Sequence, residues 1–177
     1  SGYTSDAVEA ILYAAKMGAK VMNGSWGGIG YSIALRDAIT TAYANGNGAL
    51  FIAAAGNSST DNDFSPFYPA GYDLPNVVSV AATDNKDAMA WFSCYGFTSV
   101  DLGAPGVDIY SAKPNTAYQY LSGTSMAAPH VSGAAALIMA AYPYLTVDGV
   151  KNLILNSTDP KASLQDRTVT GGRLNVY

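Results

Sequence analysis

The segment Gly123-Thr124-Ser125-Met126-Ala127-Ala128-Pro129-His130-Val131 surrounds a serine with small residues and opens an alanine-rich apolar run that lasts to Tyr142. Its length and composition predict a helix over 126–142, with Pro129 tolerated in the first turn, where a backbone N–H has no intrahelical acceptor. Ser125 then stands at the helix entrance. Five positions on is His130, the one histidine of the chain. In a regular helix five residues turn about 500° and rise about 7.5 Å, which leaves the two side chains roughly 140° apart. His130 is therefore excluded as a base for Ser125.

Upstream, apolar runs alternate with helical periodicity. Thr4 or Ser5 can cap a helix over Val8, Ile11, Leu12 and Ala15 that Gly18 stops, and a short strand at 20–23 follows. A second helix fits 33–45 with Gly46 as its stop, and the run 49–54 reads as a strand buried on both faces. The run 77–82 reads the same way, and 100–102 and 107–110 are shorter strand candidates. Thr146 caps a last helix over Val147, Val150, Leu153 and Ile154. This alternation predicts an α/β fold with a mainly parallel sheet and helices on both faces, in three layers, formed by residues 1–177 as part of one domain.

Composition narrows the function. With 49% apolar and 12% charged residues, 177 residues bury a sizeable core, and a disordered chain is excluded. A net charge of −4 without a Lys/Arg cluster argues against nucleic-acid partners. The longest apolar run falls well short of the ~20 residues of a membrane span, so no membrane partner is expected. Cys94 stands alone and cannot close an internal disulfide. Thirteen tyrosines with few lysines resemble the surface of a secreted or extracytoplasmic enzyme.

Ligands of parallel sheets collect beyond the carboxyl ends of the strands. Three Gly-containing loops fall there: Ser25-Trp26-Gly27-Gly28, Ala55-Gly56-Asn57-Ser58 and Ser122-Gly123-Thr124-Ser125. A serine at a helix start is most simply a cap, and Asn57 could close an Asx-turn. Together, however, a helix-start N–H and the Asn57 amide make a workable oxyanion hole beside the Ser125 hydroxyl. The pattern is not the G-x-S-x-G elbow, because Ala127 fills the last glycine position.

The stretch "GTSMAAPHVSG" resembles the serine motif of the subtilisin-like serine peptidases, "AAAGN" resembles their oxyanion-asparagine segment, and "GSWGG" their substrate-binding strand, all in family order. "YPAGY", "FSCYG", "DLGAPGVDIYSA" and "GGRLNV" extend the resemblance over nearly the whole chain. It implies a serine endopeptidase acting through an acyl-enzyme on a polypeptide substrate, with Ser125 as nucleophile and Asn57 as oxyanion donor. Ser25, Trp26, Gly27 and Gly28 would be the edge against which substrate pairs as an added strand, with Ala55 and Gly56 also lining the substrate site. His130 would be a packed structural residue.

The family's catalytic Asp and His lie upstream of the substrate strand, the His in an "HGTHVAG"-like segment, and residues 1–24 hold nothing similar. In subtilisin, losing the serine or histidine alone costs on the order of 10⁶ in turnover, about as much as losing the triad. The chain is accordingly expected to be the carboxyl-side part of a peptidase domain, inactive alone and partnered by the amino-side part that carries the Asp and His. A sheet edge and apolar faces left open would make it self-associate or be only marginally stable. The alternative is a non-catalytic peptide-binding or scaffold domain that keeps the groove without the triad.

The resemblance implies no cofactor for the chemistry and a structural calcium ion held by the Pro75 and Val77 carbonyls of Pro75-Asn76-Val77 and by Asp101; otherwise Asp101 is an ordinary loop-edge acid. Phe67 aligns with the floor of the primary specificity pocket, where its ring would favour small P1 side chains, or else it packs in the core.

Overall fold

A computed structural model describes residues 2–115 and 117–176. Helix α1 (Thr4–Lys16) leads to strand β1 (Val21–Gly24), helix α2 (Ile33–Tyr43) to β2 (Leu50–Ala54), and a long loop to β3 (Val77–Thr83). After β4 (Leu102–Pro105) comes a hairpin of β5 (Ile109–Lys113) and β6 (Ala117–Leu121), then α3 (Thr124–Ala141), α4 (Val147–Asn156) and two short strands, β7 (Asp159–Pro160) and β8 (Gly172–Arg173). The main sheet runs β1-β2-β3-β4-β8-β7, parallel from β1 through β8, with β7 antiparallel at the end.

Every residue of β2 and of β3 is buried, which is why both read as unbroken apolar runs. Alternate side chains serve opposite layers. Leu50, Ile52, Val78, Val80 and Leu102 pack with Ala128, Val131, Val150 and Ile154 of α3 and α4. Phe51, Ala53 and Val77 pack on the other face with Ile11 of α1 and Leu35 and Ile39 of α2. The expected three-layer α/β fold is the observed one. It puts the carboxyl ends of β1 and β2 beside the start of α3.

Several boundaries differ from the sequence reading, each for a local reason. Tyr3 caps α1, its N–H donating to the Asp6 carboxylate at 3.4 Å, so neither Thr4 nor Ser5 does. Gly18 does adopt the left-handed stop, with φ 81°. Helix α2 ends at Tyr43 because Ala44 already turns left-handed (φ 46°), and one 3₁₀ turn carries the chain to Gly46. Residues 109–110 belong to the separate hairpin, where Tyr110 pairs with Tyr120. Thr146 Oγ1 caps α4 as expected, accepting from the Gly149 N–H at 3.2 Å.

The informative difference concerns Pro129. Helix α3 begins at Thr124, so the proline is its sixth residue and lies beyond the first turn. The N–H it lacks would have bonded the carbonyl four residues earlier, that of Ser125. That carbonyl instead accepts the Ser25 hydroxyl at 2.8 Å.

Candidate active site

Ser125 is half-buried in the first turn of α3, directly across from Ser25, which follows the last residue of β1. Its Oγ donates to the Ser25 carbonyl at 3.1 Å. The helix entrance is locked to the loop after β2 through Thr124, which is fully buried. The Thr124 N–H donates to Asn57 Oδ1 at 2.8 Å and its hydroxyl donates to the same oxygen at 3.0 Å, while Thr124 Oγ1 accepts the Gly56 N–H at 3.1 Å.

These bonds hold the Asn57 carboxamide by its oxygen and leave its NH₂ uncommitted to Thr124. A methyl built on Gly123 would lie 3.5 Å from Asn57 Nδ2 and 3.7 Å from the Ser125 nitrogen. Two N–H donors therefore border one small space at Gly123, next in the chain to Thr124 and Ser125. Thr124 is a positioning residue that the sequence reading missed, although a hydroxyl between Gly123 and Ser125 was a signal for it. Asn62 was also missed: it is buried, and its Nδ2 braces the Ala55 carbonyl at 2.9 Å. No local pattern marked it.

The three expected loops meet, but their residues divide in role. Gly28 exchanges both backbone bonds with Tyr68, each at 2.8 Å, so it cannot also pair with an added strand. Ala55 and Gly56 are likewise committed. Ala55 donates to the Val80 carbonyl and Gly56 accepts from the Cys94 N–H, in addition to the bonds with Asn62 and Thr124. These three residues form wall, because their polar groups are already paired; Ser25 is paired with Ser125, and among the described residues the backbone of Trp26 and Gly27 carries none of the bonds that hold these loops together. Exposed Trp26 sets its ring edge-on to Phe51, with centroids 6.4 Å apart.

Phe67 lies between the two walls. A side-chain carbon on Gly27 would overlap Phe67 Cε1, and one on Gly56, whose φ is 111°, would lie 3.3 Å from Phe67 Cδ1 and 2.9 Å from Cys94 Sγ. The ring belongs to none of the buried apolar clusters. It is half-buried between Gly27 and Gly56, outside those clusters.

His130 faces away from Ser125, as the helical geometry required. Its Nδ1 lies 2.9 Å from the Met126 carbonyl one turn back. It is exposed rather than packed, since its face of α3, shared with exposed Leu137, is left uncovered by the described residues.

At the position expected for calcium, the residues do not fit a divalent ion. The Val77 carbonyl accepts from Lys151 Nζ at 2.6 Å, and Asp101 Oδ2 accepts the Ser79 N–H at 2.7 Å. Pro75 is exposed, and Asn76 spends its side chain on the Ile39 and Ala49 carbonyls. Among the described residues no group of three or more His, Cys, Asp or Glu could hold a metal ion.

A serine at a helix start, with two converging N–H donors at the carboxyl edge of a parallel sheet, is the equipment of an acyl-transfer site. Residues 1–173 match the family model described as the subtilase family. The chain belongs to that family. It is 47% identical over 181 residues to a thermophilic serine proteinase of Bacillus sp. (strain AK1), covering all of this chain and 41% of that protein. It is 40% identical over 177 residues to thermitase of Thermoactinomyces vulgaris, covering all of this chain and 60% of that protein. A solved structure titled as a cold adapted subtilisin-like serine proteinase superposes with a TM-score of 0.87 at 36% identity, over 100% of this chain and 62% of that one. The chain thus spans less than two thirds of these relatives. Among the described residues no helix is long and apolar enough to cross a membrane.

Proposed function

We propose that residues 1–177 are the carboxyl-side part of a subtilisin-like serine endopeptidase domain, supplying nucleophile, oxyanion hole and substrate edge. The observation that supports this reading is the Asn57 carboxamide, tied by its oxygen to Thr124, with its Nδ2 and the Ser125 nitrogen bordering the same space at Gly123.

In the reaction, Ser125 Oγ leaves its bond to the Ser25 carbonyl and attacks the scissile carbon, forming a C–O bond as its proton passes to a base. The carbonyl oxygen becomes an oxyanion that Asn57 Nδ2–H and the Ser125 N–H hold in place. Collapse breaks the C–N bond, the departing amine takes the proton, and water then hydrolyses the acyl-enzyme. The freed Ser25 carbonyl can accept a substrate N–H, with Trp26 and Gly27 continuing the pairing edge. Phe67 shortens the space for the P1 side chain, so small P1 residues are the preferred substrates.

The proton relay must come from outside the described residues, because the one imidazole is bonded to Met126. Residues 1–177 alone are therefore inactive, and the partner is polypeptide that carries an Asp and a His. The open edge of β1, which among the described residues pairs only with β2, suits that partner and otherwise promotes self-association. A secreted or extracytoplasmic location agrees with this reading.

A fluorophosphonate probe tests it. The full-length protein should label at Ser125, while residues 1–177 alone and the Ser125→Ala variant should not. A full-length protein that binds peptide yet never labels would instead identify a non-catalytic peptide-binding domain.

A further inference from the structure

The turn at 75–77 and the loop at Asp101 are where the family resemblance places calcium, and the structure sets a different cation there. Lys151 projects from α4, a helix anchored in the core by Val147, Val150 and Ile154. Its half-buried ammonium donates to the Val77 carbonyl at 2.6 Å and lines a cavity of about 340 Å³ together with Asp73, Asp101 and Thr98. Burial pushes the Asp101 carboxyl up from its usual range, against the opposing charge of Lys151 and the Ser79 N–H. The lysine thus acts on Asp101 by charge while bonding the neighbouring strand directly.

We propose that the Lys151 ammonium is a tethered replacement for the calcium ion, tying α4 to β3 beside the Asp101 loop and closing this site to divalent metals. Calcium requires six to eight oxygens at about 2.3–2.6 Å. An ammonium has three protons to place and is satisfied by far fewer acceptors. A calcium ion at the Val77 carbonyl would have to share that oxygen with a positive charge or expel a side chain fixed to a packed helix. Asp73 and Asp101 line the cavity with one ammonium, so a divalent ion added beside Lys151 would leave the group net positive. The tether also removes dependence on ion concentration, since the cation comes with the fold.

The test compares calcium uptake and thermal midpoint in the full-length protein after metal depletion. Titrated calorimetrically with calcium, the unmodified protein and Asp101→Asn should bind the same number of ions; one ion fewer in Asp101→Asn overturns the proposal. Lys151→Ser should melt on the order of 5 °C lower in metal-free buffer, and millimolar calcium should restore its midpoint by more than it shifts the unmodified protein. An unchanged midpoint in Lys151→Ser without metal, or no extra response to calcium, overturns it too. Lys151→Arg keeps a cation at the position, so its midpoint should respond to calcium no more than the unmodified protein does; a larger calcium response in that variant counts against the tethered cation.

Discussion

Ser25 and Ser125, 100 positions apart, exchange two hydrogen bonds: Ser25 Oγ donates to the Ser125 carbonyl at 2.8 Å, and Ser125 Oγ donates to the Ser25 carbonyl at 3.1 Å. The first bond fills the place left by the N–H that Pro129 lacks. Ser25→Ala should orphan that carbonyl at a cost of roughly 1–3 kcal/mol. Pro129→Ala in the same background restores a backbone donor and should recover about half or more of the loss. Calorimetry on the four members of this cycle checks the coupling, and strictly additive effects would show that the two residues do not share the carbonyl.

In the complete enzyme, Asn57→Ala should lower kcat by about 10²–10³ with little change in KM, the figure known for the equivalent donor in subtilisin. Thr124→Val keeps the Asn57 donor but removes the hydroxyl bridging Gly56 and Asn57, so it should lower kcat less and also lower the thermal midpoint. Steady-state kinetics on peptide substrates separates the two.

Phe67→Gly should empty the slot between Gly27 and Gly56 and turn preference toward large aromatic P1 residues. Profiling a peptide library with both enzymes reads the change. Best cleavage after large aromatic P1 residues by the unmodified enzyme would show that the ring does not obstruct the slot.

Asp87 bonds Lys161 at 2.7 Å and Arg173 at 2.8 Å, and Arg173 also bonds Asp159 at 2.8 Å. The Lys161 bond, aided by the charge of Arg173, holds the Asp87 carboxyl below its usual range against a smaller desolvation effect. A lowered folded pKa means stabilisation that is fully present above the unfolded value of about 3.9 and lost as pH falls through the folded pKa. Asp87→Asn should therefore be less stable than the unmodified protein at pH 7, with the gap closing below about pH 4. Asparagine tolerates the left-handed backbone at this position (φ 61°), so the comparison isolates the charge. Denaturant titrations at several pH values provide the check.

Residues 1–177 expressed alone should sediment as dimers or larger species, through the open β1 edge and the uncovered face of α3. Sedimentation velocity measures this. A monomer with a cooperative transition at high temperature would rule the expectation out.

Helices and buried strands were legible because their signals are local: Gly18, Thr146 and the apolar runs at β2 and β3 carry their own instructions. Asn57 and Ser125 were legible because both sit at the carboxyl edge of the sheet, where a parallel fold must gather its loops. What escaped depended on pairing at a distance. Whether Gly28, Ala55 and Gly56 are open or committed rests on Tyr68, Asn62, Thr124, Val80 and Cys94, and no spacing along the chain reveals such partners. The Lys151 contact with Val77 escaped for the same reason, and Pro129 was misplaced by two residues because the helix starts at Thr124.

Thr124 welds the loop after β2 to the helix that carries the nucleophile, so donors and hydroxyl travel as one mechanical piece. Such a centre contains no loose part that can fail first, and warming should leave its internal distances unchanged until the whole layer gives way. Protection of the Thr124 N–H from hydrogen exchange should then be lost only as α3 itself melts.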